Sequence, residues 1–148
     1  MNDRITTYEE ELRTQGKLVY RNHGCSMLPL IRQDRDLIII EPRPDGRCRK
    51  YDVVLYKHND RYILHRILKV LDRGYEICGD HNWKKDPVIY DEEIIGILTA
   101  VVRDGEELRA DSFRYRIYAH LWCDFFPVRV LMLRSAGMLR KIKRKLTG

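Results

Sequence analysis

No apolar run in this 148-residue chain approaches the ~20 residues that carry a helix across a bilayer. The first fifteen residues, Met1 to Gln15, are polar and acidic and lack the apolar centre of a secretory signal. A cytoplasmic protein is therefore expected, either soluble or attached to the periphery of a membrane. The four cysteines, Cys25, Cys48, Cys78 and Cys123, include no Cys-x-x-Cys pair. No metal site is expected, and reduced thiols suit a cytoplasmic chain. There is no internal repeat, no low-complexity segment and no N-terminal helix pair of the kind that reads DNA.

What the chain does have is charge, 34% of its residues, and enough apolar residues, 44%, to bury a core. The net charge of +6 is unevenly placed. Residues 112–148 hold nine Lys/Arg against one Asp, whereas residues 1–111 hold nineteen Lys/Arg against twenty-one Asp/Glu. A near-neutral body with a basic terminal segment is not the spread of charge that binds nucleic acid, so no nucleic-acid partner is expected. Two parts follow: a body over 1–111 and a basic amphipathic helical extension over 112–148.

Within the body, Thr7-Tyr8-Glu9-Glu10 fits a capping box, and Gly16 stops the short helix it opens. Short β-branched or alternating runs follow at Lys17–Asn22, Asp36–Glu41, Asp52–Lys57, Arg61–Leu71, Tyr75–Cys78 and Ile94–Arg103. Turn clusters separate them, among them Pro42 to Gly46, His58-Asn59-Asp60 and Asp104-Gly105. Many short strands with regular turns predict a mainly β body. Beyond it the pattern becomes helical: one helix is expected near Phe113–Cys123 and a second from Pro127. In the second, Val128, Leu131, Met132, Met138, Leu139, Ile142 and Leu146 recur at helical spacing, with Lys and Arg between them.

One loop carries chemistry-bearing residues. Gly24-Cys25-Ser26-Met27-Leu28-Pro29 places a hydroxyl between a glycine that turns sharply and a proline that stiffens the exit. A serine becomes a nucleophile only when a base takes its proton and N–H groups stabilise the oxyanion. His65, in Tyr62 to Leu68, shares a strand face with Ile63 and Ile67, a setting in which a lone histidine is more often a satisfied core residue, while a neutral imidazole is also the side chain best matched to a general base near pH 7. Arg66 points the other way. Asp80 in a Gly-Asp turn and Asp86 before Pro87 can each orient an imidazole, and each can also serve as a loop carboxylate.

The three blocks together resemble the signal peptidase I / LexA-type serine peptidases, nearest the Ser-His branch of the endoplasmic-reticulum and archaeal signal peptidases. That branch has a Ser-Met-x-Pro segment, a His-Arg-[Val/Ile] strand and a Gly-Asp-Asn-Asn loop. Here these read Ser26-Met27-Leu28-Pro29, His65-Arg66-Ile67 and Gly79-Asp80-His81-Asn82, with His81 in place of the first Asn. Lys50-Tyr51-Asp52-Val53-Val54 resembles the family's Gly-Asp-[Ile/Val]-Val-Val strand, with Tyr51 in place of the glycine. The likeness runs from Lys17 to Arg103.

The resemblance implies a signal-peptidase/LexA-like β-fold with a short N-terminal helix and a C-terminal helical extension. It implies Ser26 as nucleophile, His65 as base, and Asp86, six residues after the Gly-Asp aspartate, as orienting carboxylate, with Asp80 as the alternative. It also implies the Ser26 backbone N–H as oxyanion donor and Met27 and Pro29 beside the substrate. The expected activity is cleavage of a peptide or leader-like precursor, with the substrate added as a strand and no cofactor. The alternatives are a LexA-type self-cleaving or regulatory module, and a peripheral membrane adaptor acting through Val128–Leu146 on an anionic surface or a membrane partner.

Overall fold

The computed structural model describes residues 6–146. Helix α1 spans Tyr8–Gln15, where Thr7 Oγ1 accepts the Glu10 N–H at 3.2 Å. Gly16 closes it with φ 72°, a left-handed conformation in which a Cβ is penalised. Seven strands follow: β1 Leu18–Arg21, β2 Leu37–Pro42, β3 Val53–His58, β4 Arg61–Val70, β5 Tyr75–Cys78, β6 Ile94–Arg103 and β7 Glu106–Arg109. All their pairings are antiparallel, in the order β1-β2-β6-β3-β4-β5. One edge of β6 pairs with β2, and its other edge is shared by β3 and then β7. The fold is thus the expected β body, with a short helix before it and a helical part after it.

The sheet buries both faces. Val53 and Leu55 of β3 enter one apolar cluster with Leu18, Ile38, Leu64 and Leu98. Val54 and Tyr56, on the opposite face, enter a second with Ile67, Tyr75, Ile77 and Ile89. Period-two alternation sorts the side chains, and burial on both faces explains the unbroken apolar run of β3. The β3–β4 hairpin turns at Asn59 (φ 49°) and Asp60 (φ 60°), the left-handed pair that matches strand twist. This turn sets the register and therefore places His65 opposite Val54.

Helix α2, Phe113–Asp124, starts at Ser112, whose hydroxyl accepts the Tyr115 N–H. Its Tyr115 and Ala119 belong to the first cluster of the body. The chain beyond residue 111 therefore completes the core before it leaves it. Helix α3, Phe126–Leu146, has Pro127 in its first turn, where no intrahelical N–H is needed. Arg129 is its one buried side chain. No helix among the described residues is long and apolar enough to cross a membrane.

Candidate active site

His65 and Arg66 are neighbours on β4 and point to opposite faces. His65 Nδ1 lies 2.6 Å from Asp86 Oδ2, and the two side chains are 8% and 19% exposed. A ring nitrogen that close to a carboxylate carries the proton, which leaves Nε2 as the basic nitrogen. Tyr56 donates its hydroxyl to the same Asp86 oxygen at 2.9 Å. Burial, and then the Asp86 carboxylate, raise the Tyr56 hydroxyl well above its usual pKa, so it remains a donor. The Asp86 backbone is held in turn, its N–H donating to Ile77 O of β5 at 2.9 Å.

Nε2 of His65 faces the Gly79–Asn82 loop. A Cβ on Gly79 would sit 2.9 Å from His65 Nε2, 2.6 Å from Ser26 O and 2.8 Å from Asn82 Nδ2. Those contacts are shorter than real Cβ atoms make, so only glycine lets the serine segment, the imidazole and the loop meet. His81 N–H donates to Ser26 O at 2.8 Å, which binds the two loops to each other. Gly24, with φ 149°, supplies the turn that brings the chain from β1 to Ser26.

Ser26 is half-buried. Neither its hydroxyl nor its backbone N–H has a hydrogen-bond partner among the described residues. No hydrogen bond joins Ser26 Oγ to His65 among the described residues. A free N–H on the serine's own residue is the kind of donor that could receive negative charge developing beside its hydroxyl.

Asp80 takes no part in the imidazole pair. Its carboxylate meets Arg66 through two bonds of 2.8 Å, and both side chains are fully buried. Burial works against the Arg66 charge, and the Asp80 carboxylate more than restores it, so the guanidinium pKa is raised. Tyr118 donates to Asp80 Oδ2 at 2.8 Å and Trp122 Nε1 donates to Asp80 O at 2.6 Å, which clamps α2 over the loop. Asp80 is held with Arg66, which points to the opposite face of β4 from His65, and His65 Nδ1 is already taken by Asp86, so the place of Asp80 as the alternative to Asp86 is corrected to that of a loop holder. Met27 is corrected as well: its side chain is fully buried in the first apolar cluster and anchors the segment, out of reach of a substrate. Pro29 is exposed.

Two contributors were not read from the sequence. Tyr56 lies diagonally across the hairpin from His65, and its signal was the one aromatic in an aliphatic strand two positions along from Val54. Arg129 donates through Nη2 to Asn82 O at 3.1 Å and Gly79 O at 3.4 Å, while Nε and Nη1 are buried without partners. Its guanidinium stacks 4.5 Å from the Phe126 ring centre. Nothing in the spacing distinguishes Arg129 from the arginines around it.

All four cysteines are free thiols, with Cys25 exposed and the rest buried. Burial, against the pull of Arg129, pushes the Cys78 thiol up to about 11. Cys78 is therefore a neutral thiol in this setting. No cluster of His, Cys, Asp or Glu fit to hold a metal occurs among the described residues.

No family model, curated protein or solved structure matches this chain.

Proposed function

We propose that this chain is a serine endopeptidase of the signal peptidase/LexA type, which cleaves a peptide or leader-like precursor. The observation that carries the reading is the Asp86–His65 pair, with Nε2 turned toward the Gly79 crossing where Ser26 lies. In the proposed reaction Ser26 Oγ attacks the scissile carbonyl as His65 Nε2 takes its proton. Asp86 holds the ring and stabilises the imidazolium. The Ser26 N–H receives the developing oxyanion. Nε2 then returns the proton to the leaving amine, and water hydrolyses the acyl-enzyme with His65 again as base.

Two further observations support the family. Tyr51 stands where the family has glycine, and its φ is 79°, a conformation that favours glycine. Its backbone is held there by the Tyr51 N–H to Ile67 O bond at 2.9 Å and by Arg66, which donates to Tyr51 O at 2.9 Å. Strand β1 pairs only with β2 among the described residues and leads directly to the serine loop, so its other edge suits a substrate added as a strand.

The test is a pool of peptides from a digested proteome, incubated with wild-type protein and with Ser26→Ala, and read as new termini by mass spectrometry. Wild type should create termini that share a residue pattern before the cut, and Ser26→Ala should create none. Identical termini from both proteins, or none from either, would overturn the reading. New termini in the protein itself, with the pool untouched, would move it to the self-cleaving class.

A further inference from the structure

The outer face of α3 is apolar and bare. Leu131, Met132, Met138, Leu139, Ile142 and Leu146 are each between 47 and 80% exposed. The sequence could not say which way this stripe turns. Arg129 decides it: its buried guanidinium binds the loop carbonyls on the inner side, with Val130 and Leu133 half-buried near it. The stripe lies on the opposite side of the helix. Helix α2 carries an exposed apolar ridge of its own, Phe113, Ile117 and Leu121, recurring every fourth residue at 76, 44 and 57% exposure.

The charge around the stripe is of one sign. Helix α3 holds seven Lys/Arg and no Asp or Glu. Lys141 and Lys145 border the apolar side in its last turns, where their stems can lie along it and their ammonium groups reach outward. We propose that α3 lies in the headgroup layer of an anionic membrane, with this stripe inserted and the basic residues against the lipid phosphates. An apolar face flanked only by cations has what such a surface requires: area to bury and charge to attract. A second copy of the chain is a poor occupant, because pairing two α3 helices would bring seven cations against seven. The inference does not depend on the peptidase reading, since no residue of the serine site takes part.

The experiment is co-sedimentation of the full chain with vesicles of equal parts phosphatidylglycerol and phosphatidylcholine, and with pure phosphatidylcholine. Binding should appear with the anionic vesicles only and weaken at high salt. Leu131→Asp/Leu139→Asp should abolish it with the melting temperature unchanged. Each basic residue close to such a surface contributes roughly a fivefold factor in affinity. Arg140→Gln/Lys141→Gln/Lys145→Gln should therefore weaken binding on the order of a hundredfold. Ser26→Ala should bind as wild type does. Three results would overturn the proposal: no binding by folded wild type, equal binding to neutral vesicles, or a dimer in solution that Leu131→Asp/Leu139→Asp dissolves.

Discussion

His65 and Arg66 sit side by side on β4, and each holds an aspartate, yet the two pairs differ in almost every physical respect. Arg66 and Asp80 are fully buried, joined by two bonds and surrounded by Tyr115, Tyr118 and Trp122. His65 and Asp86 are partly open, joined by a single bond, and leave one ring nitrogen facing a serine loop. A pair with every polar atom satisfied and no path to solvent can only hold structure. A pair with one basic nitrogen in reserve can exchange a proton. By the alternation of its side chains, one strand therefore presents a closed ion pair on one face and a pair with a ring nitrogen to spare on the other.

The sharpest way to break this comparison is to remove one carboxylate from each pair. Asp86→Asn should cut peptide cleavage by up to ~10⁴-fold, because an amide allows His65 the wrong tautomer. Its melting temperature should stay close to wild type, since Asp86 is partly exposed and its backbone remains tied to Ile77. Asp80→Asn should do the reverse, costing about 3–5 kcal/mol of stability by leaving Arg66 buried and unpaired. Rates and thermal melts on the same two preparations check both. A stable, inactive Asp80→Asn beside an active Asp86→Asn would show that the roles are exchanged.

The sequence made the strands legible because each face of the sheet is buried by alternating or β-branched runs, and its turns are marked by Gly, Asn and Asp. It failed at β7. The turn before it, Asp104-Gly105, was visible, but Glu106, Glu107 and Arg109 are exposed on a short strand with no apolar alternation to announce it. For the site, the motif spacing indicated Ser26, His65 and Asp86, which the fold brings to one place. What spacing could not decide was the division of labour between Asp80 and Asp86. That depends on Tyr118 and Trp122, forty residues away in a helix read only as an extension. Arg129 was hidden for the same reason, because its partners are backbone carbonyls of a distant loop.

A second fully buried carboxylate sharpens the comparison by pH. Asp36 is 1% exposed and bonded to Arg103 and to the Arg32 N–H, so it resembles Asp80 rather than Asp86. Burial alone would raise its pKa, but the Arg103 and Arg32 bonds outweigh burial and hold it below the usual carboxylate range. A depressed folded pKa means stability that is present above the unfolded value, about 3.9, and lost as pH falls through the folded one. Asp36→Asn should cost roughly 1.5–3 kcal/mol at neutral pH. The gap between it and wild type should stay level down to about pH 5 and narrow below about pH 4. Denaturation curves across that range check it, and a gap that widens on acidification would place Asp36 among the carboxylates that gain by protonation.

The central claim is that Ser26 and His65 work as one unit across Gly79. The most direct measurement is the cleavage rate of one peptide by wild type, Ser26→Ala, His65→Ala and the double variant, each shown to be folded. Residues that act as a unit are strongly non-additive, so each single variant should lose nearly all activity and the double should be little worse. Two independent losses that multiply in the double variant would contradict the account.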